Sequence, residues 1–108
     1  MIPFDPDKIA EELSKRGLTW ADCDAAYKAL DDASKSVLSE CMIEAGDVPV
    51  SKAEIHGRTH PTYRNHLEAV DRARRAANRA KVNLEVFETW IELKRTEQAT
   101  QRAQMGLR

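Results

Sequence analysis

The chain is predicted to be all-α: an antiparallel helical hairpin of coiled-coil type, with a short N-terminal helix and one long C-terminal helix. Three observations carry this expectation. From Pro61 to about Thr100 no Gly or Pro interrupts the chain after the first turn, so one helix on the order of 60 Å long is expected at ~1.5 Å per residue. Its apolar residues recur in two rows three residues apart. Tyr63, Val70, Ala77, Leu84, Ile91, Gln98 and Met105 form one row; His66, Ala73, Ala80, Phe87, Lys94 and Gln101 form the other. Together they make the a/d seam of a coiled coil. The third observation is a matching seam upstream, where Trp20, Cys23, Tyr27, Leu30, Ser34, Val37 and Cys41 alternate three- and four-residue spacing. Two such helices with a short connection describe a hairpin.

Taken in order, Asp5 is expected to cap a short helix over 5–16, with Pro6 at its first position, where the missing N–H costs nothing. Gly17 reads as its left-handed end. Thr19, with Asp22 at capping-box distance, opens the first hairpin arm, 19–45, which stops at Gly46. Residues 47–60 form a structured corner. There Ser51 and Glu54 make a second capping box on a short helix or turn, Gly57 and Pro61 break it, and Thr59 or His60 caps the long arm, 61–100. Past Ile91 the seam turns polar, so 101–108 is expected to fray. The Ala73, Ala76, Ala77 and Ala80 tract allows close approach of the facing helix. With 108 residues, 32% charged and 42% hydrophobic, the whole reads as a single helical domain.

Charge is polarised. Residues 1–47 carry eleven acids and five bases, and residues 48–108 seven acids and twelve bases, within a formal net charge of −1. No apolar run approaches the ~18 residues of a membrane span, and the acidic start lacks a signal-peptide pattern. Cys23 and Cys41 would lie ~27 Å apart on one straight helix, beyond disulfide reach. They read as reduced thiols, and the expected location is cytoplasmic, the host cytoplasm if the protein is phage-encoded.

No Gly-rich phosphate loop, GxSxG or HExxH is present, and the cysteines occupy apolar helix positions where a thiol stays protonated. The protein is expected not to be an enzyme and to take no cofactor or small-molecule substrate. His56 and His60 have a usable ligand spacing. Gly57 and Pro61 interrupt the helix there, however, and no neighbouring acid or cysteine completes a set. The expectation is polar corner and cap residues with no metal.

Two surfaces remain. Between Arg58 and Lys81 stand seven basic residues and two acids. Arg64, Arg72, Arg75 and Arg79 fall on the face away from the seam, flanked by Arg74 and Lys81. Guanidinium groups on a rigid helix suit phosphate contacts; pairing with Asp31 and Asp32 of the first arm is the competing reading. The absence of interleaved aromatic residues argues against stacking on single-stranded bases. The second surface is Leu84, Phe87, Trp90 and Ile91, an aromatic–aliphatic cluster that Trp20, Cys23 and the N-terminal helix could cover. Core packing is the expected role of Leu84 and Phe87, and Trp90, off the seam, is the candidate for docking a second copy or a helical partner.

The pieces Tyr27 to Leu30, Val50 to Ile55 and Ala69 to Met105, closing as EQATQRAQMGL, resemble a group of small tailed-phage early-region proteins of helical-hairpin type. The resemblance covers most of the chain. It implies a phage or prophage setting and an accessory role near DNA recombination and replication, and it transfers no catalytic residue. The leading expectation is a non-enzymatic accessory protein of DNA metabolism, contacting nucleic acid or a DNA-processing protein through the basic face. The alternatives are a protein-directed inhibitor of a host defence or nuclease complex (anti-CRISPR-like, or a DNA mimic presenting Asp22, Asp24, Asp31 and Asp32), or a virion assembly factor. A homodimer or a helical protein partner accompanies each.

Overall fold

The computed structural model describes residues 4–106, and these are helical almost throughout, with no strand among the described residues. Four helices appear in order: α1 (Pro6–Asp32), α2 (Ser34–Ile43), α3 (Val50–Thr59) and α4 (Pro61–Gly106). The all-α class and the long C-terminal helix are as expected. Tertiary contacts divide the chain into two compact units, one of Met1–Ala21 with Asn78–Arg108, the other of Asp22–Ala77. Helix α1 runs from the first into the second, and α4 runs back.

The N-terminus of α1 forms as the sequence dictates. The Asp5 carboxylate accepts the Asp7 backbone N–H at 3.0 Å, satisfying one of the orphan donors that begin every helix. The expected break at 17–19 does not occur. Gly17 lies inside α1, and the Thr19 hydroxyl, rather than capping a new helix, donates back to the Lys15 carbonyl at 2.9 Å. The reason is visible in the register. Ile9, Leu13, Arg16, Trp20, Cys23, Tyr27 and Leu30 keep an unbroken four–three spacing, and none of them is fully exposed. Arg16 occupies the seam position next to Gly17, which disguised the continuity.

The helix ends instead at Asp32, within the span expected to be one arm. Ala33 is a turn, and the Ser34 hydroxyl donates to the Leu30 carbonyl at 3.4 Å while meeting His66 Nε2 at 3.0 Å. Serine bonding to the preceding turn bends helices, and here His66 holds the hydroxyl from α4. Helix α2 ends at Ile43, two residues short of the expected end at 45, and the chain turns away at Gly46, whose φ of +79° is the left-handed conformation glycine adopts without a Cβ penalty.

In the corner, α3 starts one residue after Pro49, whose carbonyl accepts the N–H groups of Lys52 and Ala53 at 3.0 Å. Ser51 is already inside the helix and caps nothing, so the expected capping box is absent. Gly57 does not break α3 either. It is buried within it, and a Cβ there would sit 2.7 Å from Met42 Cγ and 3.0 Å from Leu38 Cδ1 of α2. Its role is close packing of α3 on α2.

The heptad rows of α4 are buried or half-buried from Tyr63 to Gln98, while Gln101 and Met105 at their end are exposed and Ala69, Asp71, Ala76 and Trp90 off the rows are half-buried as well. Ala77, Ala80, Phe87 and Ile91 are buried, and Tyr63, His66, Val70, Ala73, Leu84, Lys94 and Gln98 are half-buried. The helix continues to Gly106, so residues 101–106 of the tail expected to fray are helical and exposed. The last two residues of that tail lie outside the described residues. In the first unit Phe4 meets Trp90 and Arg16 meets Phe87 and Asn83, so α1 and α4 run antiparallel.

Candidate functional site

The arginines of α4 are placed by helical period alone, off the seam, and all are exposed. Arg64, Arg72 and Arg75 belong to the second unit; Arg79 and Lys81 belong to the first. Among the described residues, no ion pair joins them to the acids of α1. Asp31 and Asp32, which the competing reading made their partners, are exposed and hold no arginine. The acid that answers them is local. Asp71 pairs with Arg74 and, at 3.0 Å, with Arg75. Both arginine side chains stay more than half exposed, where such pairs contribute little and exchange readily with other anions. Arg64, Arg72, Arg79 and Lys81 form no ion pair among the described residues.

The aromatic cluster divides into core and edge, with Phe87 in the core as its core-packing reading expects. Phe87 is fully buried and Ile91 nearly so, with Leu84 and Trp90 half-buried. Trp90 stacks on Phe87 with ring centroids 5.5 Å apart, and Phe4 meets the Trp90 ring edgewise at 6.2 Å. The Arg16 guanidinium lies 4.6 Å from the centre of the Phe87 ring, a cation–π contact. It also donates to the Glu12 carboxylate at 2.8 Å and the Asn83 carbonyl at 3.1 Å. The hydrogen bond from Arg16 holds the Glu12 carboxyl below its ordinary value. Of the four residues expected at a partner interface, Phe87 and Ile91 are therefore covered by α1 within their own unit. The exposed apolar residues of this part of α4 are Val82, Val86 and Leu93. They share a shallow groove with Trp90, Thr89 and Glu85.

A larger groove in the same unit, of about 740 Å³, lies over Phe4, Ile9, Leu13 and Ile91 and is bordered by Glu88, Glu92 and Arg95. It exposes the edge of the core, and its lining holds no histidine, cysteine or serine.

The corner of the second unit gathers polar groups that linear spacing kept apart. His60 comes directly after α3 and caps α4, its Nδ1 accepting the Thr62 backbone N–H at 3.1 Å. An Nδ1 that accepts leaves the proton of the neutral ring on Nε2, and Nε2 contacts the Glu44 carboxylate at the end of α2. The His56 ring stands 5.7 Å from the His60 ring, edge to face. His60 as cap was legible in sequence. Glu44 was not, because it comes from the far side of the corner, sixteen residues before His60.

No family model matches the chain, and neither the curated proteins nor the solved structures compared with it give a match. No helix of the described residues is long and apolar enough to cross a membrane.

Proposed function

We propose that the protein is a non-enzymatic accessory factor of DNA metabolism, in the phage setting its sequence resemblance implies, and that it engages the nucleic-acid backbone through the arginines of α4. The observation that carries this reading is the state of Arg64, Arg72 and Arg75 on one helix: all three are exposed, Arg64 and Arg72 form no ion pair among the described residues, and Arg75 is answered there only by the local, solvent-screened Asp71. A duplex phosphate can replace such an acid at small cost. The lack of interleaved aromatic side chains favours double-stranded over single-stranded DNA.

Three phosphate contacts give a slope of roughly −2.7 in log affinity against log salt. The test is fluorescence anisotropy on a short duplex over a salt series, with the Arg72→Glu/Arg75→Glu variant beside the parent. The proposal expects the parent slope and a variant that no longer binds while keeping its helical circular dichroism. Equal binding by both proteins would remove the arginines from the site. Arg79→Glu, measured separately, tests whether the first unit's part of α4 adds a further contact.

A protein partner is the second reading, favoured by the exposed Val82, Val86 and Leu93. Their four- and seven-residue spacing makes a narrow strip suited to a single amphipathic helix. Glu85 borders the strip, so a partner helix with basic flanks fits it. A second copy would bring no basic residue of the same strip to Glu85. The acidic-face inhibitor remains a separate proposal: Asp22, Asp31 and Asp32 are exposed, while Asp24 is engaged by Lys28 at 2.9 Å.

A further inference from the structure

We infer that the corner of the second unit is a binding site for a first-row divalent cation of the zinc type, held by Glu44, His56 and His60. One ligand atom from each of the three lies within 4.8 Å of the others. Two imidazole nitrogens and one carboxylate oxygen suit zinc, which takes such ligands at ~2.0–2.2 Å and leaves a fourth position for water. Tetrahedral ligands at that range stand about 3.3 Å apart, so the set must close by roughly an ångström and a half at most. Glu44 and His56 are exposed, so they can close by side-chain rotation without moving the helices.

The three ligands come from three places in the chain: the end of α2, the body of α3 and the cap of α4. An ion there joins all three. The site's own hydrogen bonding also sets its weakness. In the free protein the neutral His60 ring carries its proton on Nε2 and contacts Glu44 through it. The cation takes that position, the ring proton passes to Nδ1, and Nδ1 can then no longer accept from the Thr62 N–H. Metal binding thus competes with capping of α4, which places the site among exchangeable sites rather than permanent structural ones.

The experiment is titration of the tag-free protein with zinc chloride by calorimetry, and with cobalt chloride by visible absorption. The proposal expects one saturable equivalent and cobalt bands of a four-coordinate site. Glu44→Gln, His56→Asn and His60→Asn should each weaken zinc binding by more than the ~10–100-fold that loss of a mere supporting group costs. Asparagine at position 60 keeps an acceptor for the Thr62 N–H, so the cap survives in that variant. His66→Gln, which removes a histidine bonded to Ser34 rather than to the cluster, should bind as the parent does. No saturable binding, or an equivalent that survives all three ligand substitutions, would overturn the site.

Discussion

The two units solve the same packing problem with opposite materials. Where α1 meets α4 in the first unit, the core is aromatic: Phe87 is fully buried, stacked on Trp90 and covered by the Arg16 guanidinium, while Phe4 meets the edge of Trp90. In the second unit the buried residues are small, namely Cys41, Gly57 and Ala77, and helices close on one another instead of on a large side chain. Two glycines express the difference. Gly17 and Gly57 both read as helix breakers, and both lie inside helices. A Cβ at Gly17 would meet nothing within 4 Å, whereas one at Gly57 would drive into Met42 and Leu38. A glycine in a helix thus marks either a tolerated weakness or a contact that only glycine permits, and the neighbouring helix decides which.

The largest effect should come from emptying the aromatic core. Phe87→Ala is expected to cost about 3–5 kcal/mol by urea unfolding; a cost under one would mean that Trp90 and Arg16 collapse into the space. Next comes Gly57→Ala, expected to destabilise by about 1–3 kcal/mol through overpacking against α2. The same substitution at Gly17 should have the opposite sign, a gain of about 0.5–1 kcal/mol from helix propensity and a less flexible unfolded chain. Equal signs at the two glycines would erase the contrast between the units.

The smallest effect concerns Glu12. Its folded pKa is depressed by the Arg16 hydrogen bond, so its contribution is present above the unfolded value and is lost as pH falls through the folded one. Glu12→Gln should therefore lower the thermal midpoint slightly at neutral pH, and the difference from the parent should vanish in acid. A difference independent of pH would assign the effect to something other than the Glu12 charge.

The seam of α4 could be read in advance because heptad spacing is a property of the helix itself: Tyr63 through Gln98 emerge as its less exposed positions without reference to any partner. The continuity of α1 could not, because an arginine holds a seam position at 16 and only the Phe87 ring beneath it explains why. Ser34 likewise looks like an ordinary seam residue until His66 is found opposite its hydroxyl. For the candidate sites, the exposure of Arg64, Arg72 and Arg75 came from their angle on the helix. Whether they would pair with Asp31 and Asp32 depended on tertiary placement, as did the arrival of Glu44 beside His56 and His60. Composition flagged Leu84, Phe87, Trp90 and Ile91 as sticky and made Leu84 and Phe87 the core candidates, while the burial of Phe87 and Ile91 against half-buried Leu84 and Trp90 depended on tertiary placement.

The central claim is that α4 presents arginines available to phosphate. The most direct measurement is the salt dependence of duplex binding for the parent and the Arg72→Glu/Arg75→Glu variant. Arginines free to meet phosphate predict log-linear weakening with a slope near −2.7 for the parent and no measurable binding by the folded variant. A parent that ignores duplex DNA at low salt, or a variant that binds with the parent's slope, would contradict it.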